Sequence, residues 1–450
     1  MGKNTHRYIA RIVIEAVTPL AVGKGQKGIT TDSPVATDAN GLPYIPGTAV
    51  AGVFRHLFCG EEPVFGSTDD GSLGSRIIFS EAKLVGEEGK PVDGFLGNQK
   101  LSSEFYQRYL HLPIRQHVRI NHKGTAAGTA KFDEQTVYKG SRFCFHVEMI
   151  GGESESELFK SILQACRDSL FRIGGGTRSG FGKIKVINCG YHCFNLCDPD
   201  DRKAYLSLSS ALNSDTGSIF APVTLKARNS NLARYSLNLQ PVDIFLFGSG
   251  LPDGDADATP VLESMVTWEN GKARFKDNMI LLPASSLKGA LAHRTAYHLN
   301  KATKVYADKC DEGKTRINDN ALRLLFGTEG SGSQPQTRGK VIFSDVISSS
   351  EYQEKIMSHN KIDRFSGATV DGALFQDKTV YGPSLNFNTE IVIEDFREPE
   401  GVSTETLIKA FEKAMDDVCQ GLLPLGGRVN SGYGRFKGSF KPVKPDSTQA

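Results

Sequence analysis

Two loops with the same glycine spacing are the first places in this chain where backbone and side chains together could do chemistry. One reads Gly174, Gly175, Gly176, Thr177, Arg178, Ser179, Gly180, Phe181, Gly182. The other reads Gly426, Gly427, Arg428, Val429, Asn430, Ser431, Gly432, Tyr433, Gly434, 252 residues further on (426 − 174). Glycine admits positive φ and close backbone approach, so a loop of bare N–H groups can wrap a phosphate chain. The ordinary reading of either copy is a tight turn at a helix C-terminus; the shared register of both favours ligand contact and an internal duplication. A dinucleotide fingerprint is excluded, because it follows a strand and opens a helix, whereas here a helix precedes and a strand follows.

A lone carboxylate supplies the second chemical element. Asp32 lies on a loop with Lys24 and Lys27. Taken alone, an Asp before Ser33-Pro34 reads as an Asx turn. A family resemblance of this chain implies a different role for it, with RNA as substrate: the 2′-OH would be the nucleophile, and one carboxylate would suffice to accept a proton or hold a metal ion. Lys24 and Lys27 would neutralise the phosphate or bind the strand. The matching loop of the second half carries Asp253, Asp255 and Asp257. Seven positions separate Gly25 from Asp32 and Gly250 from Asp257, which favours Asp257; the stretch to the next Pro-Val is one residue longer, so Asp255 is the alternative. A calcium loop is not supported, since the 12-residue ligand pattern with its final Glu is absent.

Other candidates are weaker. Cys189, Cys193 and Cys197, with His192 among them, lack a zinc spacing and read as small buried hydrophobes. His56 and His293 occupy matching helix positions and read as structural or RNA-contacting, with paired acid–base chemistry as the alternative. Between His111 and Arg142 stand Arg115, Arg119, Lys123, Lys131, Lys139 and Arg142 against only Asp133 and Glu134. In a chain of net charge +2, such a local excess is where a nucleic-acid backbone would be held. The second excursion is balanced, with Lys361, Arg364 and Lys378 facing Asp363, Asp371 and Asp377.

The elements that must position these residues repeat. Hydrophobic periodicity predicts strands over Tyr8 to Val22, Arg76 to Val85, Arg142 to Ile150 and Phe181 to Ile187, with helices from Ala49 to Phe58, capped by Thr48, and from Glu157 to Phe171. The second half predicts strands over Arg234 to Phe247, Lys340 to Val346 and Leu385 to Glu394, with helices Leu287 to Leu299 and Thr404 to Cys419. Phe132 and Thr136-Val137-Tyr138 line up with Phe375 and Thr379-Val380-Tyr381 as a third anchor of the repeat. The order βαββαβ predicts an α+β protein of two tandem ferredoxin-like units, each a four-stranded antiparallel sheet with two helices on one face. The expected boundaries are 1–197, a linker 198–222, 223–441 and a tail 442–450.

Bulk composition agrees and adds little. A hydrophobic share of 39% with 23% charged residues is ordinary for soluble globular protein, and 450 residues suffice for two cores. The N-terminus has no signal core and no run is long enough to span a bilayer, so a cytoplasmic protein without membrane partners is expected. Eight cysteines at this length fit reduced thiols.

Together these residues resemble the RAMP backbone subunits of type III CRISPR effector complexes. The resemblance rests on Thr31-Asp32-Ser33-Pro34-Val35 followed by Gly41-Leu42-Pro43-Tyr44-Ile45-Pro46-Gly47-Thr48, on Leu325-Phe326-Gly327 before VIFSDV, on Ile362-Asp363-Arg364 with Gly372-Ala373-Leu374-Phe375, and on both glycine signatures. Two fused units are similar to a type III-D arrangement. The resemblance implies RRM-related palms that polymerise along a CRISPR RNA within an antiviral ribonucleoprotein. It makes the excursions β-hairpin thumbs, at about 115–138 and 360–381, that wedge into the guide–target duplex and displace a nucleotide pair. It implies an endoribonuclease that cuts target RNA with a divalent metal, Mg2+ or Mn2+, using Asp32 as catalytic and metal-binding residue and Asp257 or Asp255 in the second unit. The RNA-binding set it suggests is Lys24, Lys27, His56, Arg115, Arg119, His122, Lys123, Lys131, Arg178, Arg364 and Arg428, with Gly175, Gly176, Gly426 and Gly427. Partners would be CRISPR RNA, target RNA and other RAMP subunits. The alternatives are a non-catalytic guide-RNA scaffold and a guide-RNA-processing endoribonuclease.

Overall fold

In the computed structural model of the chain the described residues are 4–28, 31–58, 63–67, 73–120, 126–215, 219–226, 232–306, 318–328 and 336–443. The first strand, His6–Ala16, buries Tyr8, Ala10, Ile12 and Ile14 completely on one face, the period-2 pattern of a sheet with one side on the core. It pairs antiparallel with Arg142–Gly151 on one side and Ile184–Asn195 on the other. Short strands Ile77–Phe79 and Ala82–Leu84 add beyond Arg142–Gly151. The second half repeats this arrangement: Phe436–Pro442, Ala233–Pro241, Phe387–Ile393 and Val341–Ser344 lie side by side, all antiparallel. Each sheet thus runs last, first, third, second in chain order.

Helices cover one face of each sheet. Val50 and Phe54 of helix Gly47–Leu57 and Phe159 and Ile162 of helix Ser156–Gln164 enter the first core. Leu287 and Leu291 of Ala284–Thr303 and Leu407, Phe411 and Met415 of Thr404–Cys419 fill the second with Leu237 and Ile391. The chain is α+β, and among its described residues no helix is long and apolar enough to cross a membrane.

Several predicted boundaries move, for local reasons. The first strand stops at Ala16, ahead of Pro19, which has no N–H to continue a ladder. Arg76 to Val85 breaks at Ser80-Glu81, because the Ser80 hydroxyl takes the His146 N–H (2.9 Å) in place of a ladder carbonyl. Thr48 does not cap its helix; Pro46 occupies that place, with no side-chain cap. The helix expected to reach Phe171 ends at Gln164 and tightens to a 3-10 turn, Ala165–Arg167, before an Asp168 turn onto Leu170 N–H. The last strand of the first half begins at Ile184 rather than Phe181 and contains Cys189 and Cys193; Cys189 is buried and all described cysteines are free.

The segment KVIFSDV divides between two sheets, Val341–Ser344 and Val346–Ser348. The latter pairs with a long hairpin, Leu262–Glu269 and Lys272–Leu282, that the βαββαβ reading did not contain. This hairpin reaches into the first half, where Val266 and Ala273 join its core. Trp268 donates its indole N–H to Gly140 O at 2.8 Å and carries the Arg142 guanidinium over its ring at 4.1 Å. The halves also share a sheet: Ser179 and Gly180, from the first glycine loop, pair parallel with Phe343 and Ser344. Segment 198–222 carries a helix, Pro199–Leu206, and a two-residue strand, Ala221–Pro222, paired on Gly190 and Tyr191.

Both excursions contain β-hairpins. The first pairs Ile114–Ile120 with Ala126–Gln135. The second pairs Gln353–His359 with Phe375–Tyr381, so its first strand lies ahead of the expected start at 360 and the residues between form the connecting loop.

Candidate active sites

The aspartate loops are held in place by the returning strands of these hairpins. Leu20 and Val137 exchange backbone hydrogen bonds (3.1 and 2.8 Å), as do Phe245 and Val380 (2.9 and 3.0 Å). From that anchor the loop runs alongside the hairpin, with Ser33 bridged parallel to Glu134 and Ala258 bridged parallel to Asp377. The residue before each bridge is the candidate aspartate. Asp32 N–H donates to Asp133 Oδ1 at 2.7 Å and Asp133 N–H returns to Asp32 Oδ2 at 3.3 Å. In the second half Asp257 N–H donates to Gln376 O at 2.9 Å and Gln376 N–H returns to Asp257 Oδ2 at 2.8 Å. Asp257 therefore occupies the position of Asp32. Asp255 does not: it sits in a turn made by Asp253, whose carboxylate takes the Asp255 and Ala256 N–H groups, and both acids face Lys378.

Both aspartates are exposed. Lys27 Nζ stands 3.9 Å from Asp32 Oδ1, and Lys24 is exposed on the same loop. The Asp32 amide holds the Asp133 carboxyl below the usual carboxylate range. Gln376 replaces Asp133 in the second half, so the first site presents two carboxylates and the second one. Among the described residues no group of three or more His, Cys, Asp or Glu side chains gathers as a ligand set.

The opposite face of each hairpin carries a constellation that sequence reasoning missed. Alternate strand residues point to opposite sides, so Glu134 and Phe132 turn away from Asp133. His117 stacks on Phe132 (centroids 4.9 Å, 13°) with its Nε2 3.8 Å from Glu134. His359 stacks on Phe375 (4.9 Å, 17°), with Nε2 3.2 Å from Asp377 and 3.0 Å from Tyr433 Oη. Burial, with the Arg115 charge nearby, lowers His117 to about 4, and burial raises Glu134. The signal was present: Glu134 and Asp377 keep the same 243-residue offset as Tyr138 and Tyr381.

The glycine loops lie against this second face. Gly174 and Gly426 take φ of +93° and +96°, and a Cβ on either would stand 2.5 Å from a carbonyl, Ala21 O or Leu246 O. Gly175 N–H donates to Ala21 O (2.6 Å) and Gly427 N–H to Leu246 O (2.7 Å). These two amides are thus spent inside the protein, which corrects the expectation of bare donors there. Gly176 (φ +62°) has Arg428 (φ +57°) as its counterpart; Gly426 is exposed.

Two of the expected RNA contacts are also corrected. Arg115 is 7% exposed, donating to Glu263 at 2.6 Å and to Asp345, both from the second half. Arg178 is 9% exposed and pairs with Glu394, which Lys340 meets at 3.2 Å. Each guanidinium is used to join the halves and is closed to a phosphate. Arg428 binds the fully buried Asp377 at 3.0 Å while part of it reaches solvent. His56 is exposed at its edge, with Nε2 3.1 Å from Arg338; the partial desolvation of its ring and that charge lower its pKa. Arg119 and Lys131 are exposed on the first hairpin, and Arg364 lies over the ring of Phe365, itself 93% exposed. His122 and Lys123 lie outside the described residues.

The family model described as the RAMP superfamily matches residues 13–185 and again 245–437. The protein named CRISPR system Cms endoribonuclease Csm3, from Methanocaldococcus jannaschii, is 28% identical over 218 residues, an alignment covering 42% of this chain and 81% of that protein. With the duplicated loops, the repeated sheet order and the family pattern in both halves, the chain belongs to the RAMP superfamily as two tandem units.

Proposed function

We propose that this chain is a guide-RNA-binding backbone subunit of a type III CRISPR effector complex that cuts guide-paired target RNA beside Asp32 and beside Asp257. The observation that carries the reading is the duplicated placement of one exposed aspartate against a hairpin strand, by two reciprocal hydrogen bonds in each half. The resemblance to an endoribonuclease of a CRISPR system supports the substrate class. The sheet order last, first, third, second supports ferredoxin-like palms, with 1–197 and 223–441 as the units, 198–222 between them and 442–450 as tail. The hairpins at Ile114–Gln135 and Gln353–Tyr381 are read as thumbs. The protein acts in the cytoplasm with CRISPR RNA, target RNA and further RAMP subunits.

The chemistry follows from the substrate. A thumb that splays one target nucleotide brings its 2′-OH in line with the adjacent phosphorus. The 2′ oxygen bonds to phosphorus, its proton passes to the Asp32 carboxylate, and the bond to the 5′ oxygen breaks, leaving a cyclic phosphate and a 5′-OH protonated from solvent. Lys27 and Lys24 offset the phosphate charge. Asp32 and Asp133 would hold a divalent cation if one binds, as one or two carboxylates do for hard cations, and it would supply charge neutralisation. His117 and His359 fix the hairpin bases from the far face and take no proton from substrate.

Mapping the products of the assembled complex tests this. Asp32→Ala is expected to remove one cut, Asp257→Ala another, and the double variant both, with target binding retained; unchanged products would make the chain a scaffold, and cleavage of precursor guide RNA by the chain alone would make it a processing enzyme. With Gln376 in place of Asp133, the cut that depends on Asp257 is expected to require more Mg2+ than the cut that depends on Asp32. A Mg2+ titration that reads both products in one lane measures this.

A further inference from the structure

We infer that the first unit of this chain is closed to head-to-tail stacking on another copy, and that the glycine loop and hairpin base of the second unit form an open seat for a different RAMP-type protein, one that brings its own clasping hairpin. The kind of partner rests on family membership and on the joint inside the chain; RNA cleavage plays no part in it.

The internal joint has four components. The loop strand Ser179–Gly180 adds to the edge Val341–Ser344. Arg115 enters Glu263 and Asp345. Arg178 and Lys183 meet Glu394 and Glu390, the latter at 2.9 Å. The hairpin Leu262–Leu282 clasps the first core.

A second copy stacked by the same rule would present its first unit in place of the second. Aligning RIIFSE (76–81) with KVIFSD (340–345), and the sheet pairs Ile77 with Met149 and Val341 with Ile393, puts Glu81 where Asp345 stands, Ile150 where Glu394 stands and His146 where Glu390 stands. On the offering side Met357 replaces Arg115, Asn430 replaces Arg178 and Arg435 replaces Lys183. None of the three ionic contacts reforms. The clasp has no counterpart either, because the first unit closes the same stretch with a short turn bridged at Thr37 and Pro43.

The receiving face is also covered. Lys183 reaches Glu390 on the side of the second sheet away from its helices, and the corresponding side of the first sheet lies under the chain's own connecting segment. Leu212 packs on Val85 and Cys144. Its N–H binds Asp93 at 2.7 Å, and Arg11 donates to Ser214 O at 2.9 Å. Tyr205 Oη donates to Glu148 at 2.9 Å, and Phe220 lies 6.2 Å from the His146 ring.

The second unit's end is open. A Cβ on Gly180 would meet Asp345 Oδ1 at 2.2 Å, whereas one on Gly432, its counterpart, would meet nothing within 4 Å. Asn430, Ser431 and Arg435 are exposed and Met357 half-exposed. Continuity with the internal joint makes the occupant an edge strand of a RAMP-type unit. The residues at the seat ask for an uncharged side chain opposite Met357 and a carboxylate opposite Arg435.

Two measurements on the full chain test this. Sedimentation velocity on RNA-free protein over a wide concentration range is expected to show one species of 49.0 kDa; concentration-dependent oligomers that Asn430→Glu abolishes would overturn the inference. In the assembled complex, Ser431→Cys carrying a short photo-crosslinker is expected to label an edge strand of another RAMP-type chain. Label on residues 76–81 or 144–150 of a second copy, or on RNA alone, would overturn it. The sedimentation result stands whether or not the complex cleaves RNA, so failure of the cleavage reading and failure of this one are distinguishable.

Discussion

At the scale of single residues, the arginines divide by what they face. Arg115 sits in a joint where Glu263 and Asp345 are almost fully buried. Removing its charge leaves two buried carboxylates without a countercharge, although Asp345 Oδ1 still accepts the Ala284 N–H, and this costs about 3–5 kcal/mol. Arg115→Met is therefore expected to lower the urea midpoint strongly. Lys131→Met, on an exposed strand position, should leave the midpoint alone and reduce the salt slope of RNA binding by about one. A fluorescence-anisotropy salt titration beside the melt separates the two roles.

At the scale of elements, the clasp depends on one glycine. Gly140 holds φ of +86°, and a Cβ there would stand 1.8 Å from Val266 O. The only tryptophan of the chain, Trp268, binds the Gly140 carbonyl, so the clasp carries its own fluorophore. Gly140→Ala is expected to push the hairpin off, shift Trp268 emission to the red and raise its quenching by iodide. Unchanged emission would show that the clasp yields without opening.

At the scale of the whole molecule, the described histidines whose pKa is held down, His56, His117 and His146, all lie in the first unit. Burial, joined by Arg115 for His117 and by Arg11 for His146, lowers both histidines to about 4. Each folded pKa lies below the ordinary 6.5, so the unfolded chain binds the extra proton. The stability these groups contribute is complete above 6.5 and is lost as pH falls towards 4. Between pH 7 and pH 5 the loss is at most about 2 kcal/mol for each histidine. His146→Leu should flatten the pH dependence of the melting temperature over that interval; an unaltered slope would place the sensitivity elsewhere.

The sequence by itself determined the repeat, the α+β order and the matching positions of Asp32 and Asp257 in the two halves, because each is written in spacing: alternating apolar residues, helical periodicity, and glycines that only certain turns require. Thr404 to Cys419 was legible to the residue, and the choice between Asp257 and Asp255 was legible to two candidates. Tertiary structure decided what depends on partners distant in the chain. It spent Arg115 and Arg178 on carboxylates more than 140 residues away, although their cationic character in sequence is that of any RNA contact. It turned Leu262–Leu282, a hairpin with no counterpart in the first half, into the clasp between units. It paired His117 with Glu134 and His359 with Asp377 across strands whose register no local pattern announces. Charge and periodicity are properties of a segment, whereas burial and pairing belong to whatever the fold brings opposite it, and that was settled only when the two sheets met.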